Sequence, residues 1–594
     1  MSGGLYRSVN AARGDDGAPA DALATGAVSP LDPVGGEPSG PTTPPVPGPP
    51  PGEPDEPDDD AAGNSAMMAV LSLISRLTGF ARTAVIVAAL GGYLVGDAYA
   101  TAQLFPGMVY ELLLGGILTS VVIPVLVRRR GSDPDRGEAY TQRLLTLTVL
   151  TLGVATVLTV FAAPVLAVLY AGANKPEAFR ELVTNLSYLM LPIMFFSGVS
   201  ALFSGILNTR GHFAAPMWTP ILNNLVVIGA GGLYIALFGA TAIQPQQMTP
   251  GRIAVIGGGT LLGVIVQAIG LWPALRRVGF RWRWRFDFRA LGLAELGRLG
   301  GWVFCYVAVS QVGVLVLMRL LNEASGAGTN AGPLIYNAAF LLLMMAHGIV
   351  AVSIITALMP RMSAAAADGR FAELSADLSQ GSRMAAAVLA PIAVCYAVLS
   401  GPIPVVLFEN GAYNRDNSLT TSLVLLMAAL ALVPFAISQL FTFALYALTD
   451  TKAAAMINIP VVALRIGVQV ALFYWLDRQF TAAGLMVGNA VSYLLAVALS
   501  AMFLRSRIGR LDGRRMAASF GKVLVAAGVS AVAGWLVLQL VLGGDPTGAS
   551  RLHNLVALAV GGVVVCAVYG GAALLLRVRE VTDVVTMVRR RIGR

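Results

Sequence analysis

Fourteen long apolar segments follow one another from Ser65 almost to the C-terminus, and each is long enough to cross a bilayer. A helix needs about 20 apolar residues to span the hydrocarbon core, and continuous apolar runs can satisfy their backbone there only as helices. Charged residues make up 12% of the chain, against about 25% in soluble proteins. The sequence therefore predicts an all-α integral membrane protein. The predicted spans are 65–90, 98–126, 143–171, 181–207, 216–239, 252–273, 296–321, 333–359, 383–408, 419–446, 453–476, 482–504, 518–542 and 553–577.

Residues 1–64 have a different composition from the rest of the chain. They hold 13 of the 32 prolines, and their acidic residues far outnumber their basic ones. Such a segment cannot bury enough apolar surface to offset its ordering entropy, so we expect a disordered tail. A passive tail is favoured over one regulated by phosphorylation near Thr42 and Thr43. Recruitment of partner proteins through this tail stays open as an alternative.

Lysine and arginine alternate strongly between the two sides of the predicted membrane. Loops after even-numbered spans, with the C-terminal tail, carry 29 basic residues, and loops after odd-numbered spans carry six. Basic loops remain on the cytoplasmic side, so both termini are expected in the cytoplasm. The richest loop, RRVGFRWRWRFDFR at 276–289, is expected to lie on lipid headgroups rather than bind nucleic acid. Membrane lipids are therefore expected partners, in a plasma membrane.

An internal repeat divides the chain. The segment that begins at Pro192 resembles the segment that begins at Pro434, with the same number of residues between each matched pair. Six spans separate the two copies. Parallel repeats of this kind are a transporter architecture. The expected domains are a tail (1–64), an N-terminal lobe (65–273), a basic aromatic linker (274–298), a C-terminal lobe (296–504), two further helices (518–577) and a basic tail (578–594). We expect a monomer.

Arginines inside the first span are the strongest functional signal. A charge at bilayer depth is costly unless it faces a wet or polar interior, and guanidinium binds phosphate oxygens well. Arg76 and Arg82 lie on one polar stripe when the first span is drawn as a helix. Snorkelling to a surface is the alternative, but the two arginines lie too far apart along the helix to share one surface easily. We therefore expect both to face an interior that holds an anion.

Other intramembrane polar residues have weaker claims. Arg319 shares an arc with Glu323, so it either faces a ligand or forms a private ion pair. Asp97 begins the second span, where N-capping alone would explain it. Glu111 lies deeper and has the better claim to an arginine partner in the first span. Arg465 stands alone among apolar neighbours.

Several function classes lack their signatures. The three cysteines and three histidines are scattered and match no metal-ligand spacing, so no metal site or cofactor is expected. Walker A, GxSxG and HExxH motifs are absent from the sequence, and the predicted external loops are too short to build a catalytic face. The chain is therefore expected to be a transporter, not an enzyme.

Five stretches of the chain are recognisable: SRLTGFAR at 75–82, GDAYATAQLFPGMVYELLLGGILTSVVIPVL at 96–126, GILNTRGHFAAPMWTPILNN at 205–224, ITALMPRMS at 355–363 and LYALTDTK at 445–452. Through them, residues 65–577 resemble the MurJ (MviN) family of lipid II flippases, in the multidrug/oligosaccharidyl-lipid/polysaccharide exporter superfamily. This resemblance implies fourteen helices in two six-helix lobes plus two, and alternating access that carries an undecaprenyl-diphosphate-linked peptidoglycan precursor outward. It assigns Arg76, Arg82 and Asp97 to a cationic central cavity. Cell-wall synthesis or division proteins then become possible partners of the N-terminal tail.

The chain also departs from the family pattern. Tyr110 and Glu111 occupy positions where the family often has a basic pair, and the eighth span lacks a family arginine that Arg319 would replace. The seventh and eleventh spans offer no central aspartate for the family's sodium site. Coupling to the membrane potential or to a monovalent cation therefore stays open. The alternatives are a same-fold exporter of drugs or of another polyprenyl-linked glycan, and a non-transporting scaffold of cell-wall synthesis.

Overall fold

The computed structural model describes most of the chain after the predicted tail. Within that part, the residues from Asp60 onward belong to one compact unit. The predicted tail lies outside the described residues except for its last few positions, which begin the first helix. The described ranges are 59–115, 134–135, 137–172, 174–291, 293–326, 331–543 and 549–582.

The architecture is all-α. Thirteen helices in the described residues are long and apolar enough to cross a membrane, which confirms a multi-pass membrane protein. The last part of the predicted second span, residues 116–126, lies outside the described residues. The helices are α1 (Asp59–Leu90), α2 (Leu94–Tyr110), α3 (Glu138–Phe161), α4 (Ala163–Ala171), α5 (Glu177–Met190), α6 (Ile193–Thr209), α7 (Ala214–Phe238), α8 (Pro250–Arg277), α9 (Leu293–Ala324), α10 (Pro333–Ala367), α11 (Phe371–Val398), α12 (Pro402–Phe408), α13 (Arg415–Ala447), α14 (Thr451–Trp475), α15 (Thr481–Ile508), α16 (Gly513–Leu542) and α17 (Arg551–Leu575).

Prolines divide three of the predicted spans. The span at 143–171 becomes α3 and α4 near Pro164, and the span at 383–408 becomes α11 and α12 at Pro402. A proline cannot donate the backbone bond that continues a helix, so each break falls at the first turn of the new helix. Both breaks occur in the matched third and ninth spans of the repeat. The repeated prolines behave differently, because α5 ends just before Pro192 whereas Pro434 lies inside the continuous α13.

The predicted linker 274–298 is shorter than expected, since α8 continues to Arg277 and α9 begins at Leu293. Between them an extended segment runs along α3. Gln142 donates to the carbonyl of Arg281 at 2.7 Å, and Arg143 pairs with Asp287 through bonds of 2.9 and 2.7 Å. We call residues 280–288 the strap. Its aromatic residues alternate with charged residues. Each aromatic ring from Trp282 to Phe288 packs against the next aromatic ring along the chain.

Candidate functional site

Asp97, in the first turn of α2, joins two parts of the chain that are far apart in sequence. Its carboxylate is fully buried. One oxygen accepts the backbone amide of Leu334 at 3.0 Å, and the other accepts the hydroxyl of Ser325 in a short bond. A Cβ at Gly332 would collide with this carboxylate, so glycine permits the close approach. Asp97 therefore caps α10 from outside its own half of the molecule.

Further hydrogen bonds join residues 59–291, the first half, to residues 293–508, the second half, at this same end. The backbone amide of Ala412 donates to the carbonyl of Ala88 at 2.8 Å. Asn414 donates to the hydroxyl of Tyr93 at 2.8 Å. The side-chain amide of Asn322 donates to Thr101 at 3.0 Å. We call this group, with Asp97, Ser325 and Leu334, the seal.

Lys175 contributes a positive charge beside the seal. It lies between α4 and α5, its ammonium donates to the carbonyl of Ser325, and it interacts electrostatically with Asp97. Burial lowers the pKa of Lys175, while the nearby Asp97 carboxylate opposes that shift. The seal and Lys175 beside it thus combine an acid and a base with neutral hydrogen bonds.

Arg319 binds the C-terminus of the short helix α4. Its guanidinium donates to the carbonyl of Leu169 at 3.2 Å, and Asn322 donates to the next carbonyl, that of Tyr170, also at 3.2 Å. Cations and donors at a helix C-terminus satisfy its last carbonyls. Arg319 and Glu323 form no ion pair in the described part of the chain, so the alternative of an ion pair between these two residues is not observed.

Arg76 makes the remaining hydrogen bond between the halves. Its guanidinium donates to the carbonyl of Gly348 in α10 at 3.1 Å. A Cβ at position 348 would occupy the space of that guanidinium. A cavity of about 430 Å³ adjoins His347, the residue before Gly348. Among the described residues, every other hydrogen bond between the two halves lies in the seal or next to it. The bonds next to the seal are those of Lys175 and Arg319 and the bond of Asn322 to Tyr170.

Arg82 has a different environment from Arg76. It lies six residues further along α1, about 9 Å at the helical rise, and its side chain is half-buried. It interacts electrostatically with Tyr99, but forms no hydrogen bond or ion pair with any residue that the structure describes. An arginine in a membrane span that lacks a partner has all its donors available for a ligand.

Glu111 is exposed and starts the π-helical turn that follows α2. It forms no ion pair with Arg76 or Arg82 in the described structure. The arginine partner expected for it in the first span is therefore not bound in this conformation.

The polar face of α1 is fixed from α7. Asn224 donates to the carbonyl of Ser75 at 3.1 Å and to the hydroxyl of Thr78 at 3.0 Å. A Cβ added at Gly79 would meet this amide at ordinary contact distance. This contact orients the turn of α1 that carries Arg76.

Sequence reasoning missed Ser325, Lys175, Gly348 and Asn224. Ser325 and Gly348 have no local signal, because each acts through a contact with a residue more than 200 positions away. A signal for Lys175 existed, since it is one of only six basic residues on the poorly basic side of the predicted membrane.

Comparison with known families gives one consistent result. Residues 86–547 match the family model described as "Lipid II flippase MurJ". The chain is 26% identical over 483 residues to a probable lipid II flippase MurJ of Synechocystis sp., covering 80% of this chain and 87% of that protein. It is 25% identical to the Haemophilus influenzae protein of the same description, covering 86% of this chain and 99% of that protein.

Solved structures show the same fold. A structure described as "Lipid II flippase MurJ, inward closed conformation" matches with a TM-score of 0.66 and 18% identity, over 86% of this chain and 99% of that chain. An inward-facing multidrug resistance MATE transporter of the MOP superfamily matches with a TM-score of 0.58 and 16% identity, over 75% of this chain and 99% of that one.

Proposed function

Because the chain belongs to the family of the lipid II flippase MurJ, we propose that it moves lipid II from the inner to the outer leaflet of the plasma membrane by alternating access. It is a transporter rather than an enzyme. The observation that carries the mechanism is a contrast between two places. The seal joins the two halves by hydrogen bonds at one end, whereas the guanidinium of Arg82, deeper in the first span, binds no described residue.

The distribution of basic residues orients the molecule. With both termini cytoplasmic, the loop between α1 and α2 and the loop before α10 lie on the external side. The seal is then an external gate, and this conformation is closed to the outside. The halves share no described hydrogen bond nearer the cytoplasm than that of Arg76. Lipid II therefore enters from the cytoplasmic side.

Arg76 and Arg82 bind the diphosphate of lipid II in this mechanism. Guanidinium groups bind phosphate oxygens through two parallel hydrogen bonds, and such bonds strengthen away from bulk water. Arg82 has free donors in the closed state. Arg76 exchanges its bond to the Gly348 carbonyl for one to phosphate, which couples headgroup binding to the contact between the halves.

Asp97 and Arg319 act on the gate rather than on the headgroup in this state. Opening to the outside breaks the bonds of Asp97 to Ser325 and Leu334 and the bond of Arg319 to the C-terminus of α4. Arg319 is then available to the departing diphosphate. Glu111, which is exposed at the end of α2, tunes the field around the arginines. The membrane potential acts on any charge that moves, at about 2.3 kcal/mol per charge per 100 mV.

The test is complementation of a flippase-depleted strain. It is measured as growth and as the amount of lipid II exposed on the outer leaflet. Arg82→Gln is expected to insert and fold normally but to leave lipid II on the inner leaflet. The matched control is Arg505→Gln, which removes an exposed arginine of α15 and keeps activity. Full complementation by Arg82→Gln and by Arg76→Gln would refute the headgroup role.

Deletion of residues 2–58 separates transport from scaffolding. A flippase keeps exposing lipid II without the tail, whereas a scaffold that recruits partners through it loses function. Normal protein levels in the membrane are the control for both outcomes.

A further inference from the structure

The second half contains an arginine-lined cavity that is separate from Arg76 and Arg82. It lies among α9, α13, α14 and α15 and has a volume of about 190 Å³. Arg465 of α14 reaches it in the middle of a span. The other polar residues that line it are Tyr306, Ser310, Ser438, Gln439, Thr442, Asn458, Ser492, Tyr493 and Ser500.

Arg465 is held in place but is not neutralised. One terminal nitrogen donates to the carbonyl of Ser310 at 3.3 Å. Its Nε is buried and has no hydrogen-bond partner among the described residues. The guanidinium lies against Gly313, where a Cβ would collide with it. Among the residues that the structure describes, none with a carboxylate lines this cavity and none forms an ion pair with Arg465.

Beside the acceptor oxygens of Gln439 and Asn458, the cavity has donors that bind no described acceptor. The hydroxyls of Ser438, Thr442 and Ser492 donate to carbonyls of their own helices. In contrast, the hydroxyls of Tyr306 and Tyr493 form no hydrogen bond with a described residue, and both interact electrostatically with Arg465. Two phenolic donors and an unsatisfied guanidinium therefore meet in one small space.

We propose that this cavity binds a small monovalent inorganic anion of the chloride class. A buried charge without a counter-charge is unfavourable, and an anion hydrogen-bonded by guanidinium and phenols removes that cost. A water molecule occupies about 30 Å³ in the liquid, so the cavity has room for one ion with a few waters. It is too small for a disaccharide-linked diphosphate, and the anion site is thus distinct from the lipid II path.

The experiment measures the melting temperature of the purified full-length protein as chloride replaces gluconate at constant ionic strength. A ligand that binds only the folded state raises stability with its concentration. Wild type is expected to melt at higher temperature in chloride, and bromide should do the same. Arg465→Gln should lose the dependence, whereas the matched control Arg505→Gln, at an exposed position that does not line the cavity, should retain it.

Arg82→Gln distinguishes the two arginine sites. If the chloride effect survives in Arg465→Gln and disappears in Arg82→Gln, the anion binds beside the first span and the proposal is wrong. Should Arg465→Gln not fold, Ala496→Leu fills the cavity while keeping the arginine, and it should also abolish the effect. In bromide-soaked crystals of the wild type, an anomalous peak beside Arg465 supports the site, and its absence there overturns it.

Discussion

The carboxylate of Asp97 accepts the backbone amide of Leu334 across 3.0 Å. A residue from the first half of the chain thereby caps a helix of the second half. The free amides of a helix N-terminus favour a negative charge. Because α10 also carries Gly348, the partner of Arg76, the cap at one end of this helix and the arginine contact further along it report on the same relative position of the halves.

Asp97→Ala should open the seal more than Asp97→Asn does. Alanine removes both accepted bonds and leaves the Leu334 amide without this partner, a loss of about 1–3 kcal/mol. Asparagine retains one accepting oxygen. The measurement is labelling of a cysteine placed at Ala98 by an external membrane-impermeant thiol reagent, in a background without native cysteines. A difference of 1.4 kcal/mol corresponds to about tenfold in the accessible population.

Asp416→Asn is the control for that labelling, because Asp416 is an exposed acidic residue in the first turn of α13 at the same end. It should label like the wild type. Equal labelling of wild type and Asp97→Ala would show that Asp97 does not hold the gate.

Gly348→Ala should move Arg76 without unfolding the protein. The added methyl group meets the far end of a flexible side chain rather than backbone, so the guanidinium can shift aside. The bond to the Gly348 carbonyl is then lost, and lipid II export should fall while the melting temperature changes little. The readout is outer-leaflet lipid II set against protein stability.

Gly232→Ala is the matched control, because nothing lies within 4 Å of a Cβ at that position. It should preserve both export and stability. If Gly348→Ala exports lipid II at the wild-type rate, the position of Arg76 does not limit transport.

The membrane class could be predicted from the sequence because it depends on local hydropathy. The division into two repeated lobes and the functional role of the first span stay predictions. The partners of the site residues could not be predicted. Capping of its own helix was one explanation for Asp97, yet it caps α10, and Arg319 binds α4 rather than Glu323. Such choices depend on how two distant halves pack, which no periodicity encodes. The breaks at Pro164 and Pro402 were missed for another reason, since both sides of each break remain apolar.

Asn224→Ala and Asn458→Ala should destabilise the protein by similar amounts. Asn224 donates to a carbonyl and a hydroxyl of α1, and Asn458 donates to the carbonyl of Tyr306 at 3.0 Å and the hydroxyl of Ser310 at 2.8 Å in α9. Hydrogen bonds between membrane helices contribute about 0.6 kcal/mol on average and up to about 2. Thermal melting in detergent should show both losses, and the double mutant should show their sum because the sites share no partner. A strongly non-additive double mutant would contradict two independent contacts.

Asp287→Asn should loosen the strap on α3, which Gln142 still holds at the carbonyl of Arg281. The Arg143 guanidinium donates to this exposed carboxylate and holds its pKa below the usual range. The attachment is therefore fully present above the unfolded aspartate pKa of about 3.9 and is lost only as the pH falls through the lower folded value. Hydrogen-exchange protection of residues 281–288 in nanodiscs should be unchanged between pH 7 and pH 5 in the wild type and reduced at both in Asp287→Asn. Asp477→Asn, at an exposed site between α14 and α15, should leave the strap protected. Protection that already falls between pH 7 and pH 5 in the wild type would mean that a group other than Asp287 holds the strap.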